Sequence, residues 1–160
     1  MNILLFIFLF FATFSSSSTL IRRQDALSGF KPCIGGGTFP NEITTYTFTP
    51  NPLVAGQTAT GRIAGKATVP IENGALYNIT TFHENQIFLQ HIIDFCQMFV
   101  IPNGSTCPIN GDYDFTINFP VEPSTNVVNT SIEYDARTLI INPDGNILSC
   151  IEGKITFHYP

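Results

Sequence analysis

At 160 residues, 44% of them apolar, the chain suffices for one domain with a substantial core and is short for two of ordinary size. It has 7 Lys and Arg against 12 Asp and Glu, a formal net charge of −5, and no basic run. That balance argues against nucleic-acid binding and against electrostatic adsorption to an anionic membrane.

The first segment stands apart from the rest. Residues 3–14 form a nearly unbroken apolar run, too short to span a bilayer comfortably, and small serines follow at 15–18. This pattern predicts a secretory signal peptide over residues 1–18. Residues 19–31 carry Arg22 and Arg23 with little periodicity, and read as a leader or propeptide. From Pro32 to residue 160 short apolar runs alternate with turn residues, which predicts a single all-β domain of the two-sheet sandwich type.

In chain order, residues 43–49 predict a first strand with Tyr46 and Phe48 on one face, closed by Pro50, Asn51 and Pro52. Residues 58–69 alternate, with Ile63, Gly65, Ala67 and Val69 inward. The small Gly65 and Ala67 leave room either for a guest or for a bulky side chain of the protein itself. Residues 75–82 predict a third strand. The stretch 83–99 fits neither the helical nor the strand period, and is read as strand, loop and strand up to Cys96. Strict alternation then returns. Tyr113, Phe115, Ile117 and Phe119 share one face, Asp112, Asp114, Thr116 and Asn118 the other, and Pro120 ends the strand. Residues 130–134 and 139–141 give two further strands, 142–146 a hairpin turn and 147–159 the last strand.

Cys33, Cys96, Cys107 and Cys150 are an even set in a chain expected to be exported, and four cysteines allow three pairings. Cys96 with Cys107 would close a short loop, and Cys33 with Cys150 would tie the start of the domain to its last strand. A zinc site would call for a Cys-x-x-Cys pair, which does not occur. Three sequons, at Asn78, Asn103 and Asn129, agree with passage through a secretory pathway as glycosylation sites.

Candidate chemistry is sparse. His83, Glu84, His91 and Asp94 are the only local cluster of catalytic-type residues, but they lack the His-to-His spacing of a zinc-protease helix. Asn110, Asp112 and Asp114 mimic the opening of a calcium loop, yet Phe115 stands where glycine is needed and Val121 where a bidentate glutamate should be. Gly35, Gly36 and Gly37 lack the Lys-Ser/Thr of a phosphate loop, and no Gly-x-Ser-x-Gly elbow occurs. Apolar surface without a catalytic constellation points to binding and not to an enzyme.

Taken together, Pro50-Asn51-Pro52-Leu53 with Gly56, Ile63-Ala64-Gly65, Cys96, Cys107-Pro108-Ile109 with Gly111, Tyr113 and Phe115, Phe119-Pro120-Val121, and Asp144-Gly145-Asn146 before Leu148 and Cys150 resemble the ML lipid-recognition domain. The likeness covers nearly everything from Pro32 onward. It is greatest to the fungal phosphatidylglycerol/phosphatidylinositol transfer branch, a relative of the lysosomal sterol carrier lost in Niemann-Pick disease. Sterol carriers of the family usually have a further disulfide in the first hairpin, and this chain has no cysteine there.

The resemblance implies an immunoglobulin-like two-sheet β-sandwich with a lipid cavity between the sheets, bonded as Cys33–Cys150 and Cys96–Cys107. It implies a secreted or vacuolar/lysosomal carrier without a cofactor or metal, monomeric, meeting membranes transiently and moving a phospholipid or a sterol. The wall of such a cavity is expected from the inward apolar positions. These are Ile63 and Val69; Tyr77 and Ile79; Phe95 and Val100; Ile109, Tyr113, Phe115, Ile117, Phe119 and Val121; and Ile151 and Ile155. The competing expectation is a secreted immunoglobulin-like interaction module with a solid interior, recognising a protein or glycan.

Overall fold

In the computed structural model the alternation read at 113–119 becomes a strand of Ile109–Pro120, with Tyr113 and Phe115 buried and Asp112, Asp114, Thr116 and Asn118 exposed. The structure describes residues 26–35, 37–123 and 127–160. The expected signal peptide, and the leader up to residue 25, lie outside the described residues.

The strands are β1 (Lys31–Pro32), β2 (Glu42–Thr49), β3 (Leu53–Val54), β4 (Thr58–Ile71), β5 (Leu76–His83), β6 (Gln86–Asp94), β7 (Ile109–Pro120), β8 (Thr130–Ile141) and β9 (Ile147–Tyr159). They form an immunoglobulin-like sandwich of two antiparallel sheets. One sheet has the order β2-β4-β7, and the other β1-β9-β8-β5-β6, with short β3 alongside β9 in parallel. Between β6 and β7 the chain makes a π-helical turn, Cys96–Val100, and a 3₁₀ turn, Ile101–Asn103.

Both disulfides form as expected, Cys33–Cys150 across 117 residues and Cys96–Cys107 across 11. The turn 142–146 closes as a hairpin, with Asn142 N donating to Asn146 O at 2.9 Å.

Several expectations need correcting. Residues 130–134 and 139–141 belong to one strand, β8, because β9 pairs with it from Thr130 to Ile141 and β5 from Asp135 to Ile141. The stretch 83–99 is a hairpin followed by a helical turn. Glu84 and Asn85 take φ of 50° and 63°, the left-handed pair that a two-residue hairpin loop requires. A bulge then leaves Phe88 unpaired between Ile87 and Leu89, which breaks the period of two. The chain also joins the sandwich before Pro32. Ala26 O accepts from Tyr46 N at 2.7 Å, and Phe30 is 4% exposed within the core. Phe30 approaches Gly153 closely, where a Cβ would stand 2.7 Å from its ring.

Val69 does not point inward. The β4–β7 ladder breaks between Ala67 and Ile71, and at Val69 the main chain pairs instead with the carboxamide of Asn41, N and O each at 2.8 Å. The side chain is left 37% exposed.

Candidate functional site

The two sheets enclose different contents at their two ends. Toward one end an aromatic plug fills the gap. Phe95 is fully buried, with ring centroids 5.2 Å from Phe99 and 6.3 Å from both Tyr113 and Phe115. Phe99 reaches across to Tyr77 at 5.0 Å. The π-helical turn supplies Phe99 and Val100, Asp94 Oδ1 accepts from Gln97 N at 2.9 Å at its start, and the Cys96–Cys107 bond holds it to the entry of β7.

Gly65 lies under this plug. A Cβ there would stand 2.1 Å from Glu42 O and 2.7 Å from Tyr113 Oη, so the room left by glycine is taken by a tyrosine of the neighbouring strand. Tyr113 Oη is buried without a hydrogen-bond partner among the described residues, and burial pushes its ionisation well up.

Toward the other end the sheets stand apart around a cavity of about 820 Å³. From the smaller sheet Tyr46, Phe48, Gly61, Ile63, Ile117 and Phe119 line it. From the larger sheet come Tyr77, Ile79 and Thr81, then Leu89, His91 and Ile93, then Tyr134, Ile155, Phe157 and Tyr159. Met98 and Phe99 close it off from the plug. It reaches the surface where Phe88, stacked on Tyr134 at 4.6 Å, and Leu89 are 56% and 40% exposed, beside exposed Glu122 and Pro123. The size falls within the range of ligand pockets, about 300–1,000 Å³.

Of the fourteen positions expected to form a wall, Ile63, Tyr77, Ile79, Ile117, Phe119, Val121 and Ile155 line this cavity. Phe95, Val100, Ile109, Tyr113, Phe115 and Ile151 do not, and they pack into the closed core. The reason is what faces them: the first half of β7 meets the π-helical turn, and the second half meets nothing of equal bulk. Ile109, Tyr113 and Phe115 also border a second depression of about 560 Å³, whose rim includes Ser105, Thr106, Asp112 and Asp114. Such a rim suits water better than an apolar guest.

Tyr46, Phe48, Phe88, Leu89, Met98, Phe99, Tyr134, Phe157 and Tyr159 are lining residues missing from the expected wall. For Tyr46 and Phe48 the signal was present, since alternation already placed them on a shared face.

A polar bridge crosses the cavity's inner boundary. Tyr46 Oη lies 2.5 Å from Tyr77 Oη and 3.0 Å from Thr138 Oγ1, joining β2 to β5 and β8. Loss of solvent pushes the Tyr46 hydroxyl from 10.0 up to about 12, and raises Tyr77 for the same reason. The folded state therefore keeps protons that the unfolded chain releases near pH 10. Stability is expected to be full below pH 10 and to fall as pH rises from 10 toward 12. Urea unfolding at pH 9, 10 and 11 checks this. The double variant Y46F/Y77F should show a shallower alkaline decline.

The catalytic-type residues noted in the sequence are dispersed. His83 packs on the Tyr134 ring at 5.6 Å, Asp94 receives Gln97 N, and His91 faces the cavity from β6. The sequons also differ. Asn103 Nδ2 donates to Phe99 O at 2.8 Å and Thr116 O at 3.0 Å, and its Oδ1 accepts from Thr116 N at 3.3 Å, so this side chain closes the edge of β7. Asn129 is exposed, and Asn78 uses only its Oδ1, toward Thr80 and Gln90.

Comparison with known proteins bears on this geometry. The family model described as the ML domain matches residues 28–157. The fold is similar to the crystal structure of a Niemann-Pick type C2 protein from the Japanese carpenter ant, at 11% identity and a TM-score of 0.62, covering 80% of this chain and 98% of that one. Chicken MD-1, solved in complex with lipid IVa, matches at 12% identity and a TM-score of 0.49, covering 82% of this chain and 88% of that one. No curated sequence matches.

Proposed function

The chain belongs to the ML-domain family, and from that premise we propose that it is a non-enzymatic lipid carrier. It takes the apolar part of one lipid between its sheets, shields it from water and delivers it from one membrane to another through transient contact. The observation that carries this reading is the cavity of about 820 Å³, walled by aliphatic and aromatic side chains and open at one end. Burying a methylene is worth about 0.8 kcal/mol, so a sixteen-carbon tail brings on the order of 12 kcal/mol into such a sleeve. The interaction-module alternative calls for a solid interior, and this interior is not solid.

The cargo is a phospholipid of the phosphatidylglycerol/phosphatidylinositol kind or a sterol, in keeping with the likeness to the fungal transfer branch. The workplace is the secretory lumen, a vacuole or the extracellular space, consistent with two disulfides and an apolar leading segment. There the exposed Asn129 is the sequon free to carry a glycan, whereas Asn103 has committed its carboxamide to main chain and Asn78 accepts from Thr80 and Gln90.

Native mass spectrometry of protein purified from its own host, with lipid extraction and a vesicle-to-vesicle transfer assay, tests the proposal. A bound phospholipid or sterol and accelerated transfer are expected. Protein that emerges without any amphiphile and moves none between vesicles would overturn it.

A further inference from the structure

Sheet edges expose unpaired N–H and C=O groups, and proteins usually blunt them. Three of the four edges of this sandwich are blunted. The edge formed by β1 and β3 consists of two strands of two residues each. On the β2 edge there is a bulge between Ile43 and Thr45, and Ala26 O takes Tyr46 N at 2.7 Å. At the β7 edge Asn103 covers both the N–H and the C=O of Thr116.

β6 is the exception. It ends the larger sheet, pairs only with β5 among the described residues, and carries no Lys, Arg or Pro. Its apolar side chains are exposed on both faces: Ile87 63%, Phe88 56%, Leu89 40% and Ile92 56%. The cavity accounts for Phe88 and Leu89, which line its mouth. It does not account for Ile87 and Ile92, which pair with Phe82 and Asn78 and lie on the outer face.

We propose that β6 is a homodimer interface, in which the β6 strands of two copies pair antiparallel through the stretch from Gln90 to Asp94, with Ile92 opposite its own copy. The chemistry of the edge selects this occupant. Main-chain donors and acceptors need partners as well as cover, and a bilayer interior offers apolar cover without hydrogen bonds. A second strand offers both. A second β6 is also compatible in charge, since between Ile87 and Ile93 the only ionisable side chain is His91, and pairing about the middle of the strand sets neither two carboxylates nor two amines opposite one another. The bulge at Phe88 limits the usable edge to the residues after it. Twofold pairing there joins two six-stranded sheets into one continuous sheet and covers Ile92 with its copy. This departs from the monomer expected from the sequence, and it does not depend on the carrier reading.

Sedimentation velocity and light scattering on the full mature chain, across a wide concentration range, test it. The expected result is a concentration-dependent mass of twice the protomer, with hydrogen-exchange protection of β6 amides rising alongside. Ile92→Lys, at a position outside the cavity lining, should weaken association by about tenfold or more. Ile92→Thr, which keeps a β-branched side chain, covers the case in which lysine disturbs the hairpin. Lipid binding measured on the same samples should stay unchanged, which separates failure of this proposal from failure of the carrier reading. A monomer at every concentration would overturn the proposal, as would a dimer indifferent to both folded variants. A monomer whose β6 instead binds phosphatidylcholine vesicles in an Ile92-dependent way would also overturn it, and would assign the face to a bilayer.

Discussion

Serine in place of both Cys33 and Cys150 is expected to lower the stability of the domain by about 4 to 5 kcal/mol, the largest loss available from removing a single cross-link here. The bond closes a loop spanning 117 residues, and on the chain-entropy account the stabilisation grows with the logarithm of loop length. Cys150 is buried in β9, and Cys33 N donates to Cys150 O at 3.2 Å, so the bond also holds the entry segment carrying Phe30 against the larger sheet. Domains of this size keep roughly 5–15 kcal/mol in total, so the variant should sit close to its unfolding threshold. Urea titration followed by circular dichroism measures the shift. Replacing Cys96 and Cys107 should cost less, about 3 kcal/mol, because that loop spans only 11 residues. Equal shifts for the two variants would contradict the loop-length argument.

Ile117→Glu is expected to weaken lipid binding by at least about a hundredfold while leaving the fold in place. Ile117 is half-buried on the cavity side of β7, where the open volume lets a carboxylate keep water as long as no cargo is bound. An acyl chain or sterol ring would have to strip that water from an unpaired charge, which costs several kcal/mol, and each 1.4 kcal/mol is a factor of ten. The matched control is Val69→Glu. Val69 belongs to the same expected wall by sequence, but it is exposed outside the cavity, and its substitution should leave binding unchanged. Displacement of a fluorescent lipid from both variants gives the comparison. A loss shared by the two would indicate general damage and not a cavity effect.

The contrast between Val69 and Ile117 shows where local pattern stops being informative. Both sit on runs with clear alternation. The side chain of Ile117 follows its pleat because β7 pairs with β4 without a break from Gly111 to Pro120. Val69 lies where that ladder is interrupted, and a carboxamide 28 residues away supplies its main-chain partners. β6 illustrates a stronger case. One extra residue at Phe88 erases the period of two, so a regular edge strand at the cavity mouth looked like neither strand nor helix.

Pleat, turn chemistry and cysteine placement act over a few residues or through covalent bonds, and the sequence by itself determined what depends on them. This includes the all-β class, the two faces of β7, the hairpin at 142–146 and an even set of cysteines, whose pairing was implied by the family resemblance. Only the tertiary structure decided which apolar positions border open volume. Tyr113 and Phe115 share a strand and a face with Ile117 and Phe119, yet one pair is packed against Phe95 and the other faces the cavity. Burial parity belongs to the strand, but the open volume depends on what the opposite layer and the turn after β6 bring within contact distance. That long-range fact has no local trace along the chain.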